Sequence, residues 1–143
     1  MTVSPRVLHS VPISVGAEDA RAIQRGEIVV DGLDQAGPSF ELRIFLNNPD
    51  ADARTAPTEE YGYAGSIYVY GYGGSFGDPN AQGAAHTPLT PTRSVIATDA
   101  VRRAAADGPT ASVTLVALPY DGAGGDVDLD CAEVAVLVDD QPA

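Results

Sequence analysis

Hydrophobic and polar residues alternate most regularly in the stretch SFELRIFL over residues 39–46, where every second side chain is apolar. Successive side chains of an extended chain point to opposite faces, so this pattern predicts a half-buried antiparallel strand. A second alternating stretch covers residues 64–72. It places Tyr68, Tyr70 and Tyr72 together on one side of a predicted strand.

Other apolar runs are short and rich in β-branched residues, which is typical of strands. They lie at residues 27–30, 93–97, 111–118 and 127–138. Helical spacing predicts two short helices, at 17–25 before Gly26 and at 99–106 with Thr98 as its N-cap. The apolar runs at 111–118 and 127–138 flank a Gly-rich segment and are predicted to form a hairpin.

Turn-forming residues separate these runs, since the chain contains 15 Gly and 11 Pro. This spacing argues against a helical bundle and predicts a mostly β protein. We expect an antiparallel β-sandwich with Greek-key character, six or seven strands and one or two short helices. An acidic loop is predicted over 47–60 and a longer surface loop over 73–91.

The length and the charge of the chain limit its number of domains and the kinds of partner that it can bind. A chain of 143 residues predicts one domain over 1–143, with an irregular segment at 1–26 and the sandwich at 27–138. The net charge of −12 disfavours nucleic acid and anionic membranes as partners. The sequence shows no signal peptide or membrane-spanning run, so we expect a cytoplasmic protein or one co-exported with a partner.

Four sequence segments occur in an order that resembles the C-terminal domain of plant polyphenol oxidases. FELRI at 40–44 corresponds to the Lys-Phe-Asp-Val strand that names this domain, although Ser39 replaces the lysine. AGS at 64–66, ATDAV at 97–101 and SVTLV at 112–116 match further segments of the family. The resemblance covers roughly residues 27–138, and the loop at 73–91 is larger than the family's.

This resemblance implies a β-sandwich that sits over the mouth of a type 3 copper site and blocks substrate entry until it is displaced or cleaved. The chain has no segment like the catalytic four-helix core that holds two coppers through six histidines. The implied function is therefore a non-catalytic accessory domain that caps or helps mature a type 3 copper oxidase. Copper would be present only through that partner.

Five of the six tyrosines fall within twelve residues: Tyr61, Tyr63, Tyr68, Tyr70 and Tyr72. Tyrosine buries a large ring while keeping a polar tip and is enriched at protein interfaces, so these residues are the candidate partner-binding surface. Cross-strand packing on a half-exposed sheet explains the same pattern equally well. A second functional hypothesis is a small enzyme or ligand-binding sandwich with a Tyr- and His-lined pocket.

Metal-ligating residues are few. His9 and His86 are weak candidates for a transient copper site, and the single cysteine, Cys131, is better explained as a small buried hydrophobe than as a blue-copper ligand. The alternating carboxylates in the segment DVDLD at 126–130 lack the glycine and distal glutamate of a calcium loop. No nucleophile elbow or phosphate-binding loop is present, so no catalytic residues are predicted.

Overall fold

The computed structural model describes residues 6–13, 23–33, 39–70, 92–119, 129 and 132–139. Within them the chain forms seven strands in two antiparallel sheets. The four-stranded sheet has the order β1-β6-β3-β4, with bounds Arg6–Pro12, Thr110–Pro119, Phe40–Leu46 and Tyr63–Val69. The three-stranded sheet has the order β5-β2-β7, with bounds Arg93–Ile96, Arg25–Asp31 and Glu133–Asp139.

The core lies between the two sheets, which confirms the predicted β-sandwich. Phe40, Leu42 and Ile44 of β3 are fully buried, as the alternation in this strand predicts. The three-stranded sheet contributes the fully buried Ile28 and Val30 from its central strand, β2. The sheets also meet at their sides, where β4 contacts β5 and β1 contacts β7.

One helix, α1 at Thr98–Asp107, packs against β2, and a 3-10 turn covers Glu59–Tyr61. The fully buried Val101 of α1 lies directly over Gly26, where an added Cβ would sit 2.6 Å from the Val101 Cβ. A contact this close leaves no room for a side chain, so glycine at position 26 allows α1 to approach the sheet.

The start of α1 differs from the prediction that Thr98 is the N-cap. Ala97 occupies that position, and Thr98 is the first helical residue. The Thr98 hydroxyl instead accepts a hydrogen bond from the Gly26 N–H at 3.1 Å, and the Ala97 N–H donates to the Gly26 carbonyl at 2.8 Å. The hydroxyl therefore satisfies a strand amide and joins the helix to β2.

Three other predictions also differ from the structure. The segment at 6–12 was expected to be irregular but forms β1, and Gly26 lies within β2 instead of ending a helix. The predicted hairpin between the last two strands is wrong, because β6 pairs with β1 and β3 while β7 pairs with β2. Most of the predicted helix at 17–25 and the loop at 73–91 lie outside the described residues.

Neither α1 nor the 3-10 turn, in the part of the chain described, has the length and apolar character needed to cross a membrane.

Candidate functional site

A bulge in β4 decides which face of the sheet carries Tyr63. Ile44 pairs with Gly65 and Phe45 pairs with Tyr63, so Ala64 is the extra residue. Without the bulge, strict alternation would place Tyr63 on the same face as the buried Ile67. The bulge brings Tyr63 beside Phe45 on the outer face of the four-stranded sheet.

Phe45 is fully buried although it lies on the outer face. Its ring and the Tyr63 ring are 5.7 Å apart between centroids and tilted by 60°, and Ala51 and Val116 belong to the same small cluster. A tilted arrangement at this distance is favourable for aromatic pairs. The loop that follows β3 therefore shields one end of the outer face from solvent.

A chain of hydrogen bonds continues along the outer face beyond this cluster. The Ser66 hydroxyl donates to Glu41 Oε2 at 2.8 Å and lies 2.7 Å from the Tyr63 hydroxyl. Because the Ser66 proton is used for Glu41, the Tyr63 hydroxyl is the donor to Ser66 Oγ. Arg43 Nε donates to the same Glu41 oxygen at 3.2 Å. These bonds fix the middle of the face between β3 and β4.

Tyr68 and Tyr70 form the exposed part of this region, which we call the tyrosine end. Tyr68 is 56% exposed on β4, and Tyr70, directly after the strand, is 73% exposed. Glu41 is the cross-strand neighbour of both Tyr68 and the partly buried Leu118. Tyr68 therefore lies beside the hydrogen-bonded Glu41, and Tyr70 continues the same exposed region beyond the end of the strand.

The four predicted binding tyrosines that lie among the described residues do not form one continuous surface. Tyr61 lies in the 3-10 turn before β4, whereas Tyr70 follows the other end of that strand. A strand of this length separates its two ends by roughly 20 Å. Tyr63 lies between Tyr61 and Tyr70 along the chain and is half-buried. Tyr72 lies outside the described residues. The tyrosines therefore divide between two places on the molecule.

Tyr61 borders a groove of about 430 Å³ between the 3-10 turn and α1. We call this the acidic groove, because its rim carries three carboxylates, Glu59, Glu60 and Asp107, together with Arg103. Arg103 Nη1 lies 3.2 Å from Glu59 Oε2, so one ion pair joins the helix to the turn. The sequence analysis did not find this groove, since its residues come from three separate segments.

His9 contributes to neither the tyrosine end nor the acidic groove. His9 is exposed on β1, at a bulge between Leu8 and Val11, and does not line the acidic groove. Among the described residues, no three His, Cys, Asp or Glu side chains come close enough together to hold a metal ion. His86, Cys131 and the three carboxylates Asp126, Asp128 and Asp130 lie outside the described residues.

The fold is similar to that of solved latent aurone synthases, which are polyphenol oxidases. The enzyme from natural source matches with a TM-score of 0.56 and 14% identity over 97% of this chain and 25% of its own. A recombinantly expressed form matches with a TM-score of 0.53 and 16% identity over 96% and 26%. No family model and no curated protein matches the sequence.

At these identities the likeness shows the fold alone. This chain spans about a quarter of the length of the polyphenol oxidase chains that it matches. Nearly all of it superposes on that quarter, so the two-sheet sandwich corresponds to one part of a larger enzyme.

Proposed function

We propose that this chain is an accessory domain of the polyphenol oxidase C-terminal type, which binds and covers the catalytic domain of a type 3 copper oxidase. The observation that carries the proposal is the extent of the structural match. Almost the whole chain superposes on about a quarter of enzymes described as latent polyphenol oxidases. With two histidines in its sequence, this chain cannot supply six histidine ligands, so the copper belongs to the partner.

The tyrosine end is the proposed contact. Tyr68 and Tyr70 are both more than half exposed. Docking of a partner would remove a large apolar area of their rings from water. The hydrogen bonds among Glu41, Arg43 and Ser66 hold the neighbouring surface in one arrangement. A contact that is already ordered loses less conformational entropy on binding. The mechanism is steric: the bound domain blocks the path of the phenol to the metal site.

The test uses the type 3 copper oxidase encoded with this chain, in the same or the adjoining reading frame. Its catalytic domain is assayed for catechol oxidation by quinone absorbance while the purified chain is added. We expect the rate to fall as the chain approaches stoichiometric amounts. A full rate in the presence of excess chain, or the absence of any such oxidase gene beside this one, would contradict the proposal.

A pair of double variants tests the contact residues. Tyr68→Ala with Tyr70→Ala should weaken binding about 30-fold or more, because truncation of interface tyrosines costs about 2 kcal/mol or more. Ile96→Ala with Leu137→Ala is the matched control, since these residues are 52% and 47% exposed on the other sheet. Equal weakening by both pairs would rule out the tyrosine end as the contact.

A further inference from the structure

The acidic groove has unpaired negative charge. Glu59 is paired with Arg103, but Glu60 and Asp107 have no hydrogen-bond or ion-pair partner among the described residues. The groove therefore carries a net local charge of about −2, and the whole chain carries −12. Both the local and the overall fields attract a cationic group to this place.

The base of the groove is apolar. Leu46, Ala100 and Ala104 line it and are 3–7% exposed, and Tyr61, which is 45% exposed, lines it as well. An arginine side chain combines an aliphatic stem with a planar cation, so it matches an apolar base, an aromatic ring and a carboxylate rim together. The volume of about 430 Å³ exceeds that of one side chain and accommodates a short peptide segment.

The walls of the groove are held in place by the chain itself. Asn48 Nδ2 donates to the Tyr61 carbonyl at 2.9 Å, and the Leu46 N–H donates to the Gly62 carbonyl at 2.8 Å. Gly62 has φ of 85°, and an added Cβ would lie 2.3 Å from the Leu46 carbonyl oxygen. The turn is thus fixed against β3 before any partner arrives, which lowers the entropic cost of binding.

We propose that the acidic groove is a docking site for an arginine-bearing segment of a protein partner. The guanidinium contacts Glu60 and Asp107 at the rim and the Tyr61 ring at the edge, while the aliphatic stem lies on Ala100 and Ala104. This goes beyond the proposed function, because it requires neither an oxidase nor the tyrosine end. Its failure would therefore leave the accessory-domain proposal standing, and the reverse also holds.

The probe is the peptide acetyl-Gly-Arg-Gly-Arg-Gly-amide, titrated into the full ¹⁵N-labelled chain and followed by amide chemical shifts. We expect saturable shifts concentrated at Tyr61, Gly62, Arg103 and Asp107. The matched peptide with citrulline in place of both arginines keeps the shape and loses the charge, so it should cause no saturable shift. Equal binding of the citrulline peptide, or shifts away from the groove, would overturn the proposal.

Charge reversal separates the groove from the general acidity of the surface. Glu60→Lys should weaken peptide binding about tenfold, whereas Glu133→Lys should change it by less than about twofold. Both residues are exposed and both substitutions alter the net charge by the same amount, but Glu133 lies on β7 and outside the groove. Equal weakening by the two variants would show nonspecific attraction and would refute a specific site.

Discussion

Thr114 of β6 is a fully buried polar residue, and it connects the four-stranded sheet to the loop over the outer face of that sheet. Its side chain is fully buried, and Oγ1 donates to the Asn48 carbonyl at 2.9 Å. Two further hydrogen bonds tie the same loop to β6. The Asn47 N–H donates to the Ser112 carbonyl, and the Ser112 N–H donates to Asn47 Oδ1. The loop that shields Phe45 is therefore attached at its first residues.

Replacing Thr114 by valine keeps the shape of the side chain and removes the donor. We expect the free energy of unfolding to fall by about 1–2 kcal/mol, because the partly buried Asn48 carbonyl loses its hydrogen-bond donor. Urea denaturation measures the change. Thr110→Val, at an exposed position of the same strand, is the control and should shift stability by less than about 0.5 kcal/mol. Similar stabilities for the two variants would contradict this role of the Thr114 hydroxyl.

The strand pair β3 and β4 is held by side chains on its outer face as well as by its backbone. The Tyr63 hydroxyl is the first donor in the series that passes through Ser66 to Glu41. The hydroxyl of Tyr68, on the same strand, has no hydrogen-bond partner among the described residues. The two tyrosines therefore contribute differently to the pairing of these strands.

Removal of each hydroxyl tests this difference. Tyr63→Phe should lower the free energy of unfolding by about 0.5–1.5 kcal/mol, the usual net value of one hydrogen bond. Tyr68→Phe should leave it unchanged within error, because that hydroxyl faces solvent. Urea unfolding monitored by far-ultraviolet circular dichroism compares the two. An equal effect of the two substitutions would show that the hydrogen-bonded series does not stabilise the strand pair.

Strands with regular alternation were predictable, and those with interruptions were not. The pattern over 39–46 identifies β3 because Phe40, Leu42, Ile44 and Leu46, at every second position, face the core. β1 lacks this pattern because a bulge between Leu8 and Val11, with Ser10 at φ of 59°, interrupts it. The pairing of β6 with β1 and β3, instead of β7, depends on how the sheets pack and is not encoded in the local pattern.

The candidate site, like the strands, was predictable only where the alternation is regular. Alternation along β4 placed Tyr68 and Tyr70 on one face, and the structure shows both exposed. The position of Tyr63 depends on the extra residue Ala64, which has no distinctive sequence signal. The acidic groove combines residues 46–48, 59–62 and 100–107, which become neighbours only when α1 has packed against the sandwich.

The charge of the whole chain affects its stability. Twenty acidic residues against eight basic ones give −12, and mutual repulsion of this excess disfavours the compact state. Salt screens such repulsion, because the Debye length falls from about 30 Å at 0.01 M to about 4 Å near 0.5 M ionic strength. The folded protein should therefore gain stability as salt is added.

We expect the midpoint of thermal unfolding at neutral pH to rise by about 3 °C or more between 10 mM and 500 mM NaCl, which corresponds to about 1 kcal/mol. Differential scanning calorimetry measures it. Near pH 4.2, the isoelectric point of the sequence, the net charge is close to zero and the same salt increase should have little effect. A midpoint at neutral pH that is constant or falls with salt would contradict repulsion as the dominant electrostatic effect.

The tyrosine end and the acidic groove lie at opposite ends of β4, roughly 20 Å apart. A partner that spans this distance can occupy both at once, and the second contact then forms at a high effective concentration. Two weak contacts would in this way give strong avidity. Breaking either one, by cleavage or by competition, would release the partner far more completely than the loss of a single contact energy would predict.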